Sequence, residues 1–134
     1  MKVIVDANVA IAAAASRGLC EALMELCLEH HRLVLCEGIL TEIEAKLRDK
    51  IKVAPSVVAE YVRMLAHNAQ ILNPEDVSPG TCRDPNDLMI LGLVAPGHVE
   101  AIITGDKDLL VLKQYKTARI MTPRSFWESN KKGT

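Results

Sequence analysis

Aromatic side chains are scarce in this chain, with one Trp, two Tyr and one Phe among 134 residues. That leaves few platforms on which nucleobases could stack. Long apolar runs are absent as well. None approaches the roughly 18 residues needed to span a bilayer, which excludes a transmembrane helix. The first apolar stretch is broken by Asp6 and Asn8 and has no basic leader, so it does not read as a secretory signal. A cytoplasmic protein is the expectation. Internal repeats and low-complexity tracts are also missing.

The four cysteines, Cys20, Cys27, Cys36 and Cys82, form no CxxC pair and have no histidine at zinc-ligand spacing. Reduced thiols are expected. No charge of one sign dominates, but the net charge of −1 hides an asymmetry. Residues 1–99 carry nine Lys and Arg against thirteen Asp and Glu, whereas residues 100–134 carry seven against four. A basic C-terminal third beside an acidic site suits a polyanionic partner, and it equally suits an ordinary solvated surface.

What is present is a globular composition, 49% hydrophobic and 25% charged, of a length that fits a single domain over residues 1–130 with a fraying tail at 131–134. Its organising stretch is Val3-Ile4-Val5-Asp6-Ala7-Asn8, a short β-forming run that ends in a carboxylate. The pattern returns where Ala101-Ile102-Ile103-Thr104 runs into Gly105-Asp106-Lys107-Asp108. Further strands are expected at Leu33–Cys36, Gln70–Leu72 and Arg119–Met121. Helices are expected over Ala10–Ser16, Leu19–His30, the Ile39–Asp49 stripe, Pro55–Ala69, the apolar run Leu88–Ala95, a turn at Lys107–Leu112 and Pro123–Ser129. Strands that alternate with helices imply right-handed crossovers. The fold class is therefore α/β, a three-layer α/β/α sandwich with a mainly parallel sheet of about five strands.

In such a sheet ligands gather beyond the carboxyl ends of the strands, where Asp6 and Asp106 stand. Either aspartate could merely satisfy backbone N–H groups at a loop entry, but two at equivalent strand ends point to a site. Glu42 lies on the border of an amphipathic helix. There it could pair with Lys46 at i+4, and Glu37 and Glu44 compete with it for any functional role. Asp84 fits an N-cap before Pro85, which accounts for it fully. Asp87, in the first turn of a helix that should be buried, needs a partner or a cation.

Taken together, VIVDANV, a glutamate on the helix after the second strand, DPNDLMILGL, and TGDKDLL followed by ARIMTPRSF resemble PIN-domain proteins. The similarity is to the branch of toxin components of toxin–antitoxin pairs, related to VapC-type toxins, and it covers nearly the whole chain. The resemblance implies a metal-dependent ribonuclease that acts on single-stranded or structured RNA with Mg²⁺ or Mn²⁺, and a cognate antitoxin as partner. Relatives commonly form homodimers. Carried over by position, the acids are Asp6, Glu42, Asp87 and Asp106. Asp108 matches a frequent fifth acid, Asn8 a polar neighbour of the first, and Thr104 a polar residue lining the site. Lys107 and Arg83 flank these positions and could hold phosphate. Gly92 stands where the family more often has Ala, which should loosen packing of that helix. Hard divalent cations take oxygen ligands, so a few carboxylates suffice, and without the ion their repulsion should leave the site strained or partly protonated.

Two other readings remain. One is a PIN-like RNA-binding or scaffold module without catalysis, which the presence of all four acids argues against. The other is a haloacid-dehalogenase-like phosphatase, which would want Asp where Asn8 stands.

Overall fold

The computed structural model describes residues 1–133, with side chains through residue 130. Strand β1 (Lys2–Val5) is central because Val3, Ile4 and Val5 are almost wholly buried. It lies between β2 (Arg32–Leu35) and β4 (Ala101–Ile103), parallel to both, with Val3, Ile4 and Val5 opposite Ala101, Ile102 and Ile103. Strand β3 (Ala69–Ile71) extends one side, and β6 (Ala118–Met121) the other. Both continue the parallel ladder.

The sheet has six strands, one more than expected. The sixth, β5 (Gln114–Tyr115), is two residues long and pairs antiparallel with β6 at the sheet edge. So short a strand leaves no hydrophobic period in the sequence, and its existence depends on the β6 neighbour.

Helices α1 (Ala7–Ala15), α2 (Leu19–His30), α3 (Glu37–Asp49) and α4 (Pro55–Asn68) connect the first strands. Helix α1 packs on α2 and α3, and α3 packs on α4. The Tyr61 hydroxyl on α4 donates to the Ala10 carbonyl at 2.7 Å, and burial pushes its pKa up to about 12. A single 3₁₀ turn at Pro79–Thr81 precedes α5 (Pro85–Gly92) and α6 (Val94–Gly97). After β4 comes α7 (Lys107–Leu110), and the chain closes with α8 (Pro123–Gly133), which packs on α2. Helix α8 continues past Ser129, where it was expected to stop. The fraying expected for 131–134 concerns residues that lie outside the side-chain description. All four cysteines are free thiols. No helix among the described residues is long and apolar enough to cross a membrane.

The apolar stretch 88–95 is two helices. Pro96 has no N–H to give the Gly92 carbonyl four residues earlier. That carbonyl instead accepts the Glu75 N–H at 2.8 Å, which stitches the loop after β3 onto the end of α5. The expectation that Gly92 loosens this helix is therefore reversed. A Cβ on Gly92 would stand within contact distance of the Glu75 carbonyl oxygen and 2.9 Å from Pro74 Cβ, so its absence admits the loop.

Gly92→Ala should thus destabilise the protein by roughly 1–3 kcal/mol, the usual range for forcing a methyl into packed surroundings. Urea denaturation would check this. An unchanged midpoint would mean that the loop does not depend on that approach.

Candidate metal centre

The strand order β3-β2-β1-β4-β6-β5 reverses direction between β1 and β4, because successive connections leave these two strands on opposite sides. A crevice opens beyond their carboxyl ends at such a reversal. Asp6 follows β1 directly, and Asp106 stands three residues beyond β4.

Asp6 is 4% exposed and fully engaged. Its Oδ1 accepts the Val9 N–H at 3.0 Å, which caps α1, and its Oδ2 accepts the Thr104 hydroxyl in a short bond. Thr104, wholly buried, accepts the Asp106 N–H on the same oxygen at 2.9 Å. One hydroxyl thus ties the two strand ends together. Asp106 in turn caps α7, accepting the Asp108 N–H at 2.8 Å.

Asp84 accepts the Asn86 N–H at 2.9 Å and caps α5, as expected, but that bond occupies only Oδ1. Its carboxylate also belongs to a group in which Asp84, Asp87 and Asp106 each present an oxygen within 4.8 Å of the others. The cap explanation is therefore true of Asp84 and incomplete. Asp87, in the first turn of α5 and 6% exposed, is the most buried member of this group.

A cleft of about 110 Å³ joins these groups, lined by Asp6, Asn8, Glu42, Lys46, Asp84, Asp87 and Asp106, with Ala7, Asn86 and Ile90 completing the wall. Of the three glutamates on α3, only Glu42 faces it. Glu44 pairs with Arg48 at 3.2 Å, and Glu37 is exposed. Glu42 Oε2 accepts from Lys46 Nζ at 2.8 Å, so the i+4 pairing and the cleft position hold together.

Asp108, Lys107 and Arg83 do not line the cleft. The Asp108 carbonyl accepts the Cys82 thiol at 3.5 Å, and Lys107 and Arg83 are exposed. Lys46, expected only as the i+4 partner of Glu42, also lines the cleft, and Cys82 has no sequence signal for its place beside Asp87. The Cys82 thiol, buried, also lies 3.8 Å from Asp87 Oδ2. For Lys46 a signal existed in its i+4 spacing from Glu42.

Burial raises the Asp6 carboxyl above its ordinary range against its own hydrogen bonds, and the charges of Asp106 and Glu42 push the same way. Asp87 is pushed up to about 7, first by burial and then by Asp106, to which its protonated form donates, and by Asp84. Burial first, and the crowding of carboxylates after it, thus favour the protonated form of Asp87. The clustered carboxylates of Asp84, Asp87 and Asp106, with Asp6 and Glu42 on the walls of the same cleft, offer the hard oxygen donors that Mg²⁺ or Mn²⁺ takes. Among the described residues no buried side-chain N or O lacks a hydrogen bond, so the deficit is one of charge and not of bonding.

A PIN domain family model matches residues 2–108. No curated protein matches the sequence. Among solved structures the chain is similar to a chain in the crystal structure of VapBC2 from Rickettsia felis bound to a DNA fragment from their promoter. The TM-score is 0.63 at 12% identity, covering 91% of this chain and 98% of that one. At that identity the likeness concerns the fold.

The raised Asp87 carboxyl has a definite sign in stability. Its proton is held more tightly in the folded state than in the unfolded chain. Its contribution is therefore fully present below the unfolded value near 4 and is lost as pH rises towards about 7. In EDTA, wild-type urea midpoints should fall between pH 4.5 and 8 (a range running, roughly, from just above the unfolded pKa to above the folded one). Asp87→Asn should flatten that fall and be the more stable protein at the alkaline end. A wild-type profile as flat as the variant's would remove the carboxylate crowding from the account.

Proposed function

The chain belongs to the PIN-domain family, and from that premise we propose that it is a Mg²⁺- or Mn²⁺-dependent endoribonuclease, the toxin of a toxin–antitoxin pair. The observation that carries the reading is the cleft at the β1–β4 reversal, which gathers Asp6, Glu42, Asp84, Asp87 and Asp106. These five would hold the cation. When bound, it would lower the pKa of water and neutralise charge developing on the phosphate during an in-line displacement.

The protein's own part is to fix the donors. Val9 N–H and the Thr104 hydroxyl hold both oxygens of Asp6. The same Thr104 oxygen positions the Asp106 backbone, so the spacing of these two acids follows β4 and not a loop. Asp87 gives up its proton when positive charge arrives, because crowding by Asp106 and Asp84 is part of what retains it. Asn8, exposed at the start of α1, faces the cleft as a polar contact for substrate. Thr104 supports from below, and Lys107 and Asp108 lie outside the lining of the cleft.

RNA is the substrate in this reading, and the basic C-terminal third suits its backbone. The partners are an antitoxin protein and a second copy of this chain, in the cytoplasm. Support for self-association comes from α4, where Val57 is exposed and Tyr61, Val62, Met64 and Ala66 are only half-buried. Light scattering at tens of micromolar (an order-of-magnitude choice) should give the mass of a dimer, and a clean monomer would count against it.

Asp6→Asn and Asp84→Asn are the informative variants for the nuclease. Asn caps a helix about as well as Asp, so both keep their helix starts while losing a charge. Each should cut RNA more than about a hundredfold more slowly, beyond the 10–100-fold typical of a residue that only orients a ligand. EDTA should abolish wild-type cleavage and Mn²⁺ restore it. An Asp84→Asn protein with full activity would return Asp84 to a purely capping role. Wild type that cleaves no RNA with either metal would leave a binding module in place of the enzyme.

A further inference from the structure

Among the described residues that line the cleft, Lys46 is the one that carries a positive charge. Its ammonium lies 2.8 Å from Glu42 Oε2 and 3.4 Å from Asn8 Oδ1, so it reaches from α3 across to the start of α1. Helix α3 supplies its own comparison in Arg48, which pairs with Glu44 at the same i+4 spacing and with the adjacent Asp49, all on one helix. That pair is the more exposed of the two, at 46% and 49% against 37% and 34%, and neither Arg48 nor Glu44 touches the cleft. An ordinary helical pair needs nothing beyond its own two side chains. Lys46 has in addition a third contact on another helix and a wall of four aspartates opposite.

We propose that Lys46 is a built-in counter-ion of the cleft, which holds Glu42 while no divalent cation is bound and releases that carboxylate when one binds. The proposal rests on the metal-site reading above. A lysine suits the role because its ammonium is a point charge on a flexible four-carbon stem, with no planar fork to lock it onto the carboxylate. It keeps Glu42 from adding its full charge to a site where Asp6 already feels both Glu42 and Asp106. The same charge then opposes an incoming cation twice, by occupying one of its ligands and by repelling it directly. Lys46 therefore makes the metal-free protein easier to keep folded and the cation weaker to bind.

Calorimetric titration with Mn²⁺ separates these effects. Lys46→Met keeps the stem and removes the charge. It should bind Mn²⁺ about tenfold more tightly, on the scale of one like-charge interaction near a protein surface. Lys46→Arg keeps the charge and adds the fork that can lock onto Glu42, so it should bind Mn²⁺ no more tightly than wild type. Arg48→Met removes the ion pairs with Glu44 and Asp49 away from the cleft, and should leave Mn²⁺ affinity unchanged. In thermal unfolding, Lys46→Met should melt below wild type in EDTA and match it with saturating Mn²⁺. An affinity that is unchanged or weaker in Lys46→Met, or raised equally in Lys46→Arg, overturns the counter-ion role while leaving the metal site standing. Wild type that binds no Mn²⁺ overturns both.

Discussion

The bond from a carboxylate to the first backbone N–H groups of the following helix is the interaction on which this site depends. It occurs three times, at Asp6 to Val9, Asp84 to Asn86 and Asp106 to Asp108. Each such cap contributes about 1 kcal/mol on its own account. Each also fixes one oxygen of a carboxylate and so aims the other. Because the three helices start at neighbouring positions around the β1–β4 crevice, caps that would be routine separately bring their charges together. Asp87 then enters as a passenger, carried into the group by the first turn of α5.

The sheet supplies the precision. Strands β1 and β4 are held in register from Val3 opposite Ala101 to Val5 opposite Ile103. The ladder continues through the Asp6 N–H, which donates to the Ile103 carbonyl at 3.0 Å. Thr104, wholly buried immediately after β4, is the next step of the same pairing expressed through a side chain. A hydroxyl is suited to that place because it can donate to Asp6 and accept from the Asp106 backbone at once. A methyl there would leave both groups short of a partner in a buried setting, where an unmet polar group costs most.

Much of this was legible because buried parallel strands read as short continuous apolar runs, which identified β1, β2, β4 and β6 in sequence order. What escaped did so for physical reasons. Helix α1 starts at Ala7 and not near Ala10, since its cap is Asp6, a residue already assigned to the site. Strand β5 is defined by its pairing alone. The break between α5 and α6 follows from Pro96, and the meaning of Gly92 follows from a loop about seventeen residues earlier in the chain, which no local pattern reveals. At the site, the choice between cap and ligand for Asp84 looked like an alternative because a sequence offers one role per residue. In three dimensions the two oxygens of one carboxylate can take one role each.

The same division explains how a protein can afford such a cluster at all. The helix N-termini that the caps complete carry partial positive charge, which offsets like-charge repulsion at short range without moving. Lys46 adds a full positive charge on a flexible stem, set against Glu42. Even so, burial first, and then the neighbouring Asp106 and Asp84, push the Asp87 carboxyl up to about 7, so the fixed dipoles and the lysine do not fully offset these effects. Helix starts cannot be strengthened further, because each is already capped. A second lysine on the wall would fill the small cleft it was meant to neutralise. A proton on Asp87 meets part of the remaining deficit, and in the proposed reading a compact cation would take its place, received by oxygens that the caps leave free.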